Sequence, residues 1–323
     1  MLRSASTFLK RGTPGGPTPN PRRTATMTLH AAISRRTLIA ATLCAAGTAL
    51  PISSFAALPP GPAGQDGIRT LEKEAGAEIG VSVRDEAGNV VLEWRSQEQF
   101  ALNSTVKALL AARVVEGHMK DEVKVAVGGD APHAPVLSKM NPDDVISVKE
   151  AARAACSESD NRAANLLMKT LGGPAAMTAW LQWKGDLRTR IDRYEPDCNK
   201  TSAYDVRDKT RPSAITQLWR KLYLDFTPDE RMEWEDMLKA NKHSAHLFKA
   251  QVPQGWTVAD RTGSGSSDDE TNRSVHAMLF DPEGAAWFAA VHVRMPAGTD
   301  LQTRDAVLAK ACGIVMRTIA PGK

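Results

Sequence analysis

The chain has 323 residues, 41 Lys and Arg against 37 Asp and Glu, and a formal net charge of +4. That small basic excess is not gathered into a stripe, which argues against a nucleic-acid-binding chain working by phosphate neutralisation. With 42% hydrophobic residues it carries enough apolar material to bury a sizeable core.

The stretch from Met1 to about Arg36 is rich in Arg, Ser, Thr and Pro and lacks any acidic residue, so it cannot build a core and reads as targeting sequence. Arg35 and Arg36 precede a mildly apolar run, Leu38 to Leu50, and Ser54-Phe55-Ala56 places small residues where a signal peptidase cuts. This pattern predicts a twin-arginine export signal cleaved after about Ala56 and a periplasmic product, with either Met1 or Met27 as the start. The run is too short for a permanent membrane anchor. Residues 1–56 are therefore the extension and signal, and 57–323 the working domain. Cys44 leaves with the signal. Cys156, Cys198 and Cys312 are an odd set that cannot all pair, and are expected to be small buried hydrophobes.

After a Pro/Gly-rich linker over Leu58 to Gly67, Ile68 to Ala75 reads as a short helix. Ala77 to Val83 alternates like a strand, Asp85 to Asn89 is a turn and Val90 to Trp94 its partner, making a hairpin. Ser104 then opens a helix whose apolar run, Ala108 to Ala112 with Val114 and Val115, marks it as buried, ending near Gly117. Asp121 to Asp144 is polar and irregular. Helical spacing returns over Ser147 to Cys156, Asn161 to Leu171 and Pro174 to Trp183. Asp186 to Lys209 has no periodicity. Pro212 to Leu224 and Pro228 to Ala240 are helices opened by proline. Three strands follow, Thr257 to Gly263, Ser274 to Phe280 and Ala285 to Val293, and then a closing helix from about Asp305 to Thr318. Strands at both ends with helices between predict an α+β fold: one mixed lobe (about 57–100 and 250–323) with a five-stranded antiparallel sheet flanked by helices, one all-helical lobe (about 101–249), and an active site at the seam.

Four clusters carry chemistry. Ser104 and Lys107 stand three apart, so a helix sets an amine beside a hydroxyl, and a desolvated lysine can act as base toward a serine nucleophile. Ser159-Asp160-Asn161 lies in a break between helices, where serine can relay a proton and the Asn amide can hold a carbonyl and a lysine at once. Asp192 to Asn199, containing Glu195, lies in the aperiodic stretch. Asp260-Arg261-Thr262-Gly263-Ser264-Gly265 ends a strand, with glycines that admit a substrate close to the backbone.

In this order the four clusters resemble the class A serine β-lactamases of the penicillin-recognising serine enzyme family, over roughly Ile68 to Ile319. The resemblance implies an acylating serine hydrolase. Ser104 would be the nucleophile, Lys107 a base for acylation, and Ser159 the proton donor to the leaving lactam nitrogen. Glu195 with Asn199 would activate the deacylating water. Asn161 would hold the substrate side-chain amide. The backbone N–H groups of Ser104 and Ser264 would form the oxyanion hole. Arg261, Thr262, Gly263 and Ser264 would line the carboxylate subsite, helped by Arg273 from the next strand, whose spacing is about two residues longer than usual. Arginine at 261 resembles the carbenicillin-hydrolysing branch. Arg193 and Asp208 match the salt bridge that clamps the Glu195 loop, and the Glu195–Pro196 bond is expected to be cis.

Three readings lie outside that pattern. Ser266 to Glu270 is an acidic, solvated turn. His133 is a surface residue or a weak stacking gatepost. His243 and His246 lack the further ligands a metal site needs. The expectation is thus a monomeric, exported β-lactamase acting on small-molecule β-lactams, penicillins favoured, with no cofactor, metal, nucleic acid or stable membrane anchor, conferring resistance. A cell-wall D,D-peptidase or esterase, and a receptor that stays acylated, are the alternatives; Glu195 argues against both.

Overall fold

The computed structural model describes residues 62–124, 131–200, 202 and 204–322. The expected export signal and its cleavage near Ala56 lie outside the described residues. In chain order come α1 (Pro62–Ala75), the hairpin β1 (Glu78–Asp85) and β2 (Val90–Trp94), and the short β3 (Phe100–Ala101). A 3₁₀ turn over Asn103–Thr105 leads into α2 (Val106–Gly117), followed by β4 (Glu122–Lys124), β5 (Val145–Ser147), α3 (Val148–Ser157), α4 (Asn161–Thr170) and α5 (Gly173–Trp183). Then follow β6 (Lys209–Thr210), α6 (Pro212–Asp225), α7 (Pro228–Lys239), β7 (Thr257–Ser266), β8 (Glu270–Phe280), β9 (Ala286–Pro296) and α8 (Leu301–Ile319).

The late strands close on the N-terminal hairpin, giving one five-stranded sheet in the order β2-β1-β9-β8-β7 with every neighbouring pair antiparallel. The expected α+β architecture is present. Strand periodicity sorts side chains to two faces. On β8, Val275, Ala277 and Leu279 join a core shared with α1 and α8, while Met278 and Phe280 join a second core built by α2 to α7. Local chemistry sets the helix starts. Ser147 and Glu150 form a capping box at α3, Thr227 and Glu230 another at α7, and proline opens α6 and α7, where a missing N–H costs nothing.

Helix α2 is central to the second core. Nine of its residues are buried, on every side, which is why it shows a continuous apolar run rather than an amphipathic stripe. Burial of a leucine such as Leu109 or Leu110 stabilises by about 1.5–3 kcal/mol, so α2 is a rigid platform. Lys107 is carried into that interior, fully buried.

Two expectations about local structure are corrected. The linker read over 58–67 is helix from Pro62 onward. Gly64 and Gly67 are there because α1 lies tightly on its neighbours: a Cβ at Gly64 would sit 2.8 Å from the Thr318 hydroxyl and one at Gly67 3.3 Å from Ile314. The acidic turn is shorter than 266–270, because Glu270 is already in β8, buried, 3.4 Å from the Arg294 guanidinium; Asp268 and Asp269 remain exposed.

Candidate active site

Lys107 Nζ is the hub of the site. It lies 2.9 Å from Ser104 Oγ, 3.0 Å from the Ser159 carbonyl oxygen, 3.2 Å from the Ser159 hydroxyl and 2.5 Å from Asn161 Oδ1, more acceptors than its N–H groups can serve at once. Glu195 Oε1 lies 3.0 Å away and accepts from the Ser104 hydroxyl at 3.2 Å. Asn199 donates from its side-chain amide to Glu195 Oε2. Arg261 Nη2 donates to Ser159 Oγ at 2.5 Å. Ser104, Lys107, Ser159, Asn161, Glu195, Asn199 and Arg261 therefore form one hydrogen-bonded cluster. Thr262, Gly263 and Ser264 continue along the same edge strand, β7.

Each part is held by its own local structure. The 3₁₀ turn starts at Asn103 with φ of 48°, a conformation asparagine tolerates better than most residues, and this puts half-exposed Ser104 directly before the buried helix. Ser159 also has a positive φ, 58°, in the break between α3 and α4. Asp160, fully buried, caps α4 through Ala163 N and accepts from Val136 N and Leu137 N, tying three segments to that break. The Glu195 loop is clamped by Arg193 Nε on Asp208 at 2.6 Å, with Asp208 also accepting from the backbone of Asp192 and Arg193. The Glu195–Pro196 peptide is cis. At Gly263 a Cβ would stand 2.8 Å from the Leu102 carbonyl oxygen, and at Gly265 2.2 Å from Asn103 Oδ1. Only glycine lets β7 lie this close to the nucleophile turn.

Burial dominates the electrostatics. It pushes the Lys107 pKa down; Glu195 opposes this and the Arg261 charge reinforces it. The net direction favours a neutral amine able to take the Ser104 proton. Cys198 and Cys156 are free, buried thiols pushed up by burial, Cys156 to about 11, and Cys312 is likewise free and buried. Thiolate chemistry at these positions is thereby disfavoured. Among the described residues no group of three or more His, Cys, Asp or Glu side chains is placed to hold a metal.

Several contributors escape a reading of motifs. Asn165 on α4 holds the Glu195 backbone from both sides, accepting from its N–H at 2.8 Å and donating to its carbonyl at 2.8 Å. Asn241 donates to buried Asp260 at 3.0 Å and accepts from Arg261 at 3.4 Å. Arg304 on α8 donates to Ser264 Oγ at 3.1 Å. A lone polar residue in or just after a helix gives no sequence signal for such contacts. Arg273 does reach the site's flank, donating to the Gly263 carbonyl at 3.2 Å and the His243 carbonyl at 3.4 Å. His133 is exposed, edge-on to His243 at 5.8 Å. His246 does have a partner, Asp305 at 3.2 Å.

The sequence model of a family described as "Beta-lactamase enzyme family" matches residues 65–318. The chain is 33% identical over 258 residues to the carbapenem-hydrolysing β-lactamase KPC of Klebsiella oxytoca, covering 76% of this chain and 85% of that one. It is 28% identical over 249 residues to β-lactamase CARB-3 of Pseudomonas aeruginosa, covering 75% and 85%. The solved class A β-lactamase reconstructed as the last common ancestor of Gram-negative bacteria superposes with a TM-score of 0.72 at 36% identity, covering 80% of this chain and 99% of that one.

Proposed function

Since the chain belongs to the class A serine β-lactamases, enzymes that hydrolyse β-lactams, we propose that it acts on penicillins by preference, through a Ser104 acyl-enzyme cleared by a water that Glu195 activates. The observation that supports the acyl-enzyme chemistry is the double reach of Glu195, whose carboxylate touches both Ser104 Oγ and Lys107 Nζ from a buried, clamped loop; the preference for penicillins rests on the resemblance of Arg261 to the carbenicillin-hydrolysing branch.

In acylation, Lys107 or Glu195 takes the Ser104 proton while Oγ bonds to the lactam carbonyl carbon. The N–H groups of Ser104 and Ser264 hold the oxyanion, and loss of one such donor is worth about 10² to 10³ in rate. Ser159 passes a proton to the lactam nitrogen as the C–N bond breaks. Arg261 sits against Ser159 Oγ and supplies positive charge there, while Thr262, Gly263 and Ser264 receive the substrate carboxylate and Asn161 the side-chain amide. Arg273 flanks this subsite. In deacylation, water held by Glu195 and Asn199 gives a proton to Glu195 and its oxygen to the acyl carbon, and Ser104 leaves reprotonated. Metal and cofactor have no assigned step. We further propose that residues 57–323 act as a monomer in the periplasm, exported by the twin-arginine route, with the lobes divided near 101 and 249, and that the activity confers β-lactam resistance.

Replacing Glu195 by Ala removes the deacylating base without touching the nucleophile. Intact-protein mass spectrometry after mixing with benzylpenicillin is expected to show a persisting adduct and turnover slowed about 10²- to 10⁴-fold. Normal turnover by that variant would remove Glu195 from the role.

A further inference from the structure

Two histidines meet at the rim of the site, and neither has a part in the chemistry above. His133 comes from the loop between β4 and β5, His243 from the loop between α7 and β7, and their rings stand edge-on with centroids 5.8 Å apart. Backbone contacts tie both to the cluster. The His133 carbonyl accepts from Asn161 N at 2.9 Å and the Pro132 carbonyl from Asn161 Nδ2 at 2.6 Å. The His243 N–H donates to Asn241 Oδ1 at 3.1 Å, an atom that also accepts from Arg261 at 3.4 Å. One ring thus sits beside the residue assigned to the substrate's side-chain amide, and the other is two hydrogen bonds from Arg261.

One oxygen lies against both rings. His133 Nε2 is 3.0 Å from the Glu158 carbonyl oxygen. Burial lowers the His243 pKa, the same Glu158 carbonyl opposes this, and the Arg261, His133 and Arg273 charges add to it. His243 Nε2 is buried and, among the described residues, has no hydrogen-bond partner. A carbonyl oxygen only accepts, so His133 now gives it an N–H; moving that proton to the other ring nitrogen turns the inward nitrogen into a lone-pair donor, the form in which imidazole binds a metal. The ring spacing suits a shared ion. With Zn–N of about 2.0–2.1 Å, each centroid stands about 3.2 Å from the metal, so two imidazoles at the tetrahedral angle have centroids about 5.2 Å apart. The observed 5.8 Å asks for an inward shift of about 0.6 Å, small for an exposed ring such as His133.

We propose that His133 and His243, with the Glu158 carbonyl oxygen and water, hold one exchangeable zinc ion, and that this ion obstructs the rim where the substrate's acyl side chain enters. Imidazole suits zinc well. Two side chains fall short of the closed four-ligand set of a structural site; the third protein donor is a backbone carbonyl, and the remaining position takes water. The Lys242 charge is offset by its ion pair with the Glu158 carboxylate, whereas Arg261 and Arg273 act on the His243 ring and keep the affinity modest. His133 is held at φ 62°, a left-handed conformation that histidine and asparagine tolerate, so the backbone sets its place on the rim. The ion takes no step in hydrolysis. Its binding is independent of the β-lactam reading above, and only the obstruction of substrate rests on that reading.

The test titrates the metal-free parent with zinc chloride by calorimetry and repeats the titration with His133→Asn, His243→Asn and, as a control, His246→Asn. One ion per chain is expected, bound at least tenfold more weakly after either of the first two changes, since loss of even an outer-shell partner costs about 10- to 100-fold. The third change is expected to leave binding as it was. X-ray absorption of the zinc-loaded parent is expected to show two imidazole nitrogens at about 2.0–2.1 Å, and this decides the matter if a variant does not fold. With benzylpenicillin as substrate, zinc is expected to raise KM and leave kcat, and EDTA to reverse the effect. No binding at millimolar zinc, fewer than two imidazoles on the ion, or binding that survives both changes overturns the site. Loss on His246→Asn instead moves the ion to the His246–Asp305 pair and overturns it equally. A zinc-loaded parent whose KM is unmoved refutes the obstruction. A parent that hydrolyses no β-lactam, with or without zinc, refutes the lactamase reading and leaves the calorimetry to judge the site.

Discussion

His276 and His292 make the folded chain sensitive to acid, and the size of the effect can be worked out. Both imidazoles are fully buried on the inner face of the sheet, with Nε2 to Nε2 3.0 Å apart. Trp219 lies edge-on to His276 at 5.8 Å and Phe100 tilts over His292 at 5.3 Å. A proton added to either ring would be desolvated, and on the ring whose Nε2 accepts it would also break the bond between them. Burial, with the Arg294 charge adding to it, pushes His292 down to about 3; burial pushes His276 well down too, with His292 adding to it. In the unfolded chain these rings take up protons below about 6.5. The unfolded state therefore binds more protons, and stability falls as pH drops from about 6.5 toward 3. At pH 4.5 His292 alone removes about 2.7 kcal/mol, two pH units at 1.36 kcal/mol each, and His276 acts in the same direction. That is a large fraction of a typical stability of about 5–15 kcal/mol. The assay is urea unfolding of the parent and of His292→Asn at pH 6.5 and 4.5, because every other titrating group is shared. The parent is expected to lose about 2–3 kcal/mol more than the variant between the two pH values. Equal losses would refute the reasoning.

Removing Arg193 as alanine leaves buried Asp208, whose pKa burial already raises, without its counter-charge; a cost of about 3–5 kcal/mol in urea unfolding is expected, with slower acyl-enzyme breakdown as the Glu195 loop loosens. Gly265→Ala places a Cβ 2.2 Å from Asn103 Oδ1 and 2.5 Å from the Asn199 carbonyl oxygen. Overpacking of about 1–3 kcal/mol is expected, with deacylation impaired through Asn199, whereas Gly117→Ala, with nothing within 4 Å, should change stability and rate little; identical behaviour of the two variants in stopped-flow traces would contradict the packing argument.

Much of this was legible in the sequence where one residue type has one physical use. Proline at 212 and 228 opens helices, alternation in 77–83 makes a strand, and the order of the four clusters points to one cleft. What was not legible depends on contacts between distant residues. Gly64 and Gly67 look like linker composition and are in fact the close approach of α1 to its neighbours. Asn272, Ser274 and His276 are polar residues on β8 yet all are buried, so the sequence pattern places the start of the strand at Ser274, whereas it begins at Glu270. Asn165 and Arg304 act on partners 30 and 40 residues away, and Arg273 was readable as a cation while Asp305, 32 residues on, was not readable as its partner.

The central claim is that Ser104 is acylated by a β-lactam and that the acyl group is then cleared. The measurement that tests it most directly mixes the purified chain with about a hundredfold excess of benzylpenicillin and follows the lactam absorbance to its end. Complete loss, abolished by Ser104→Ala, is the predicted result. Loss that stops after one equivalent of protein, or that survives Ser104→Ala, would contradict the account.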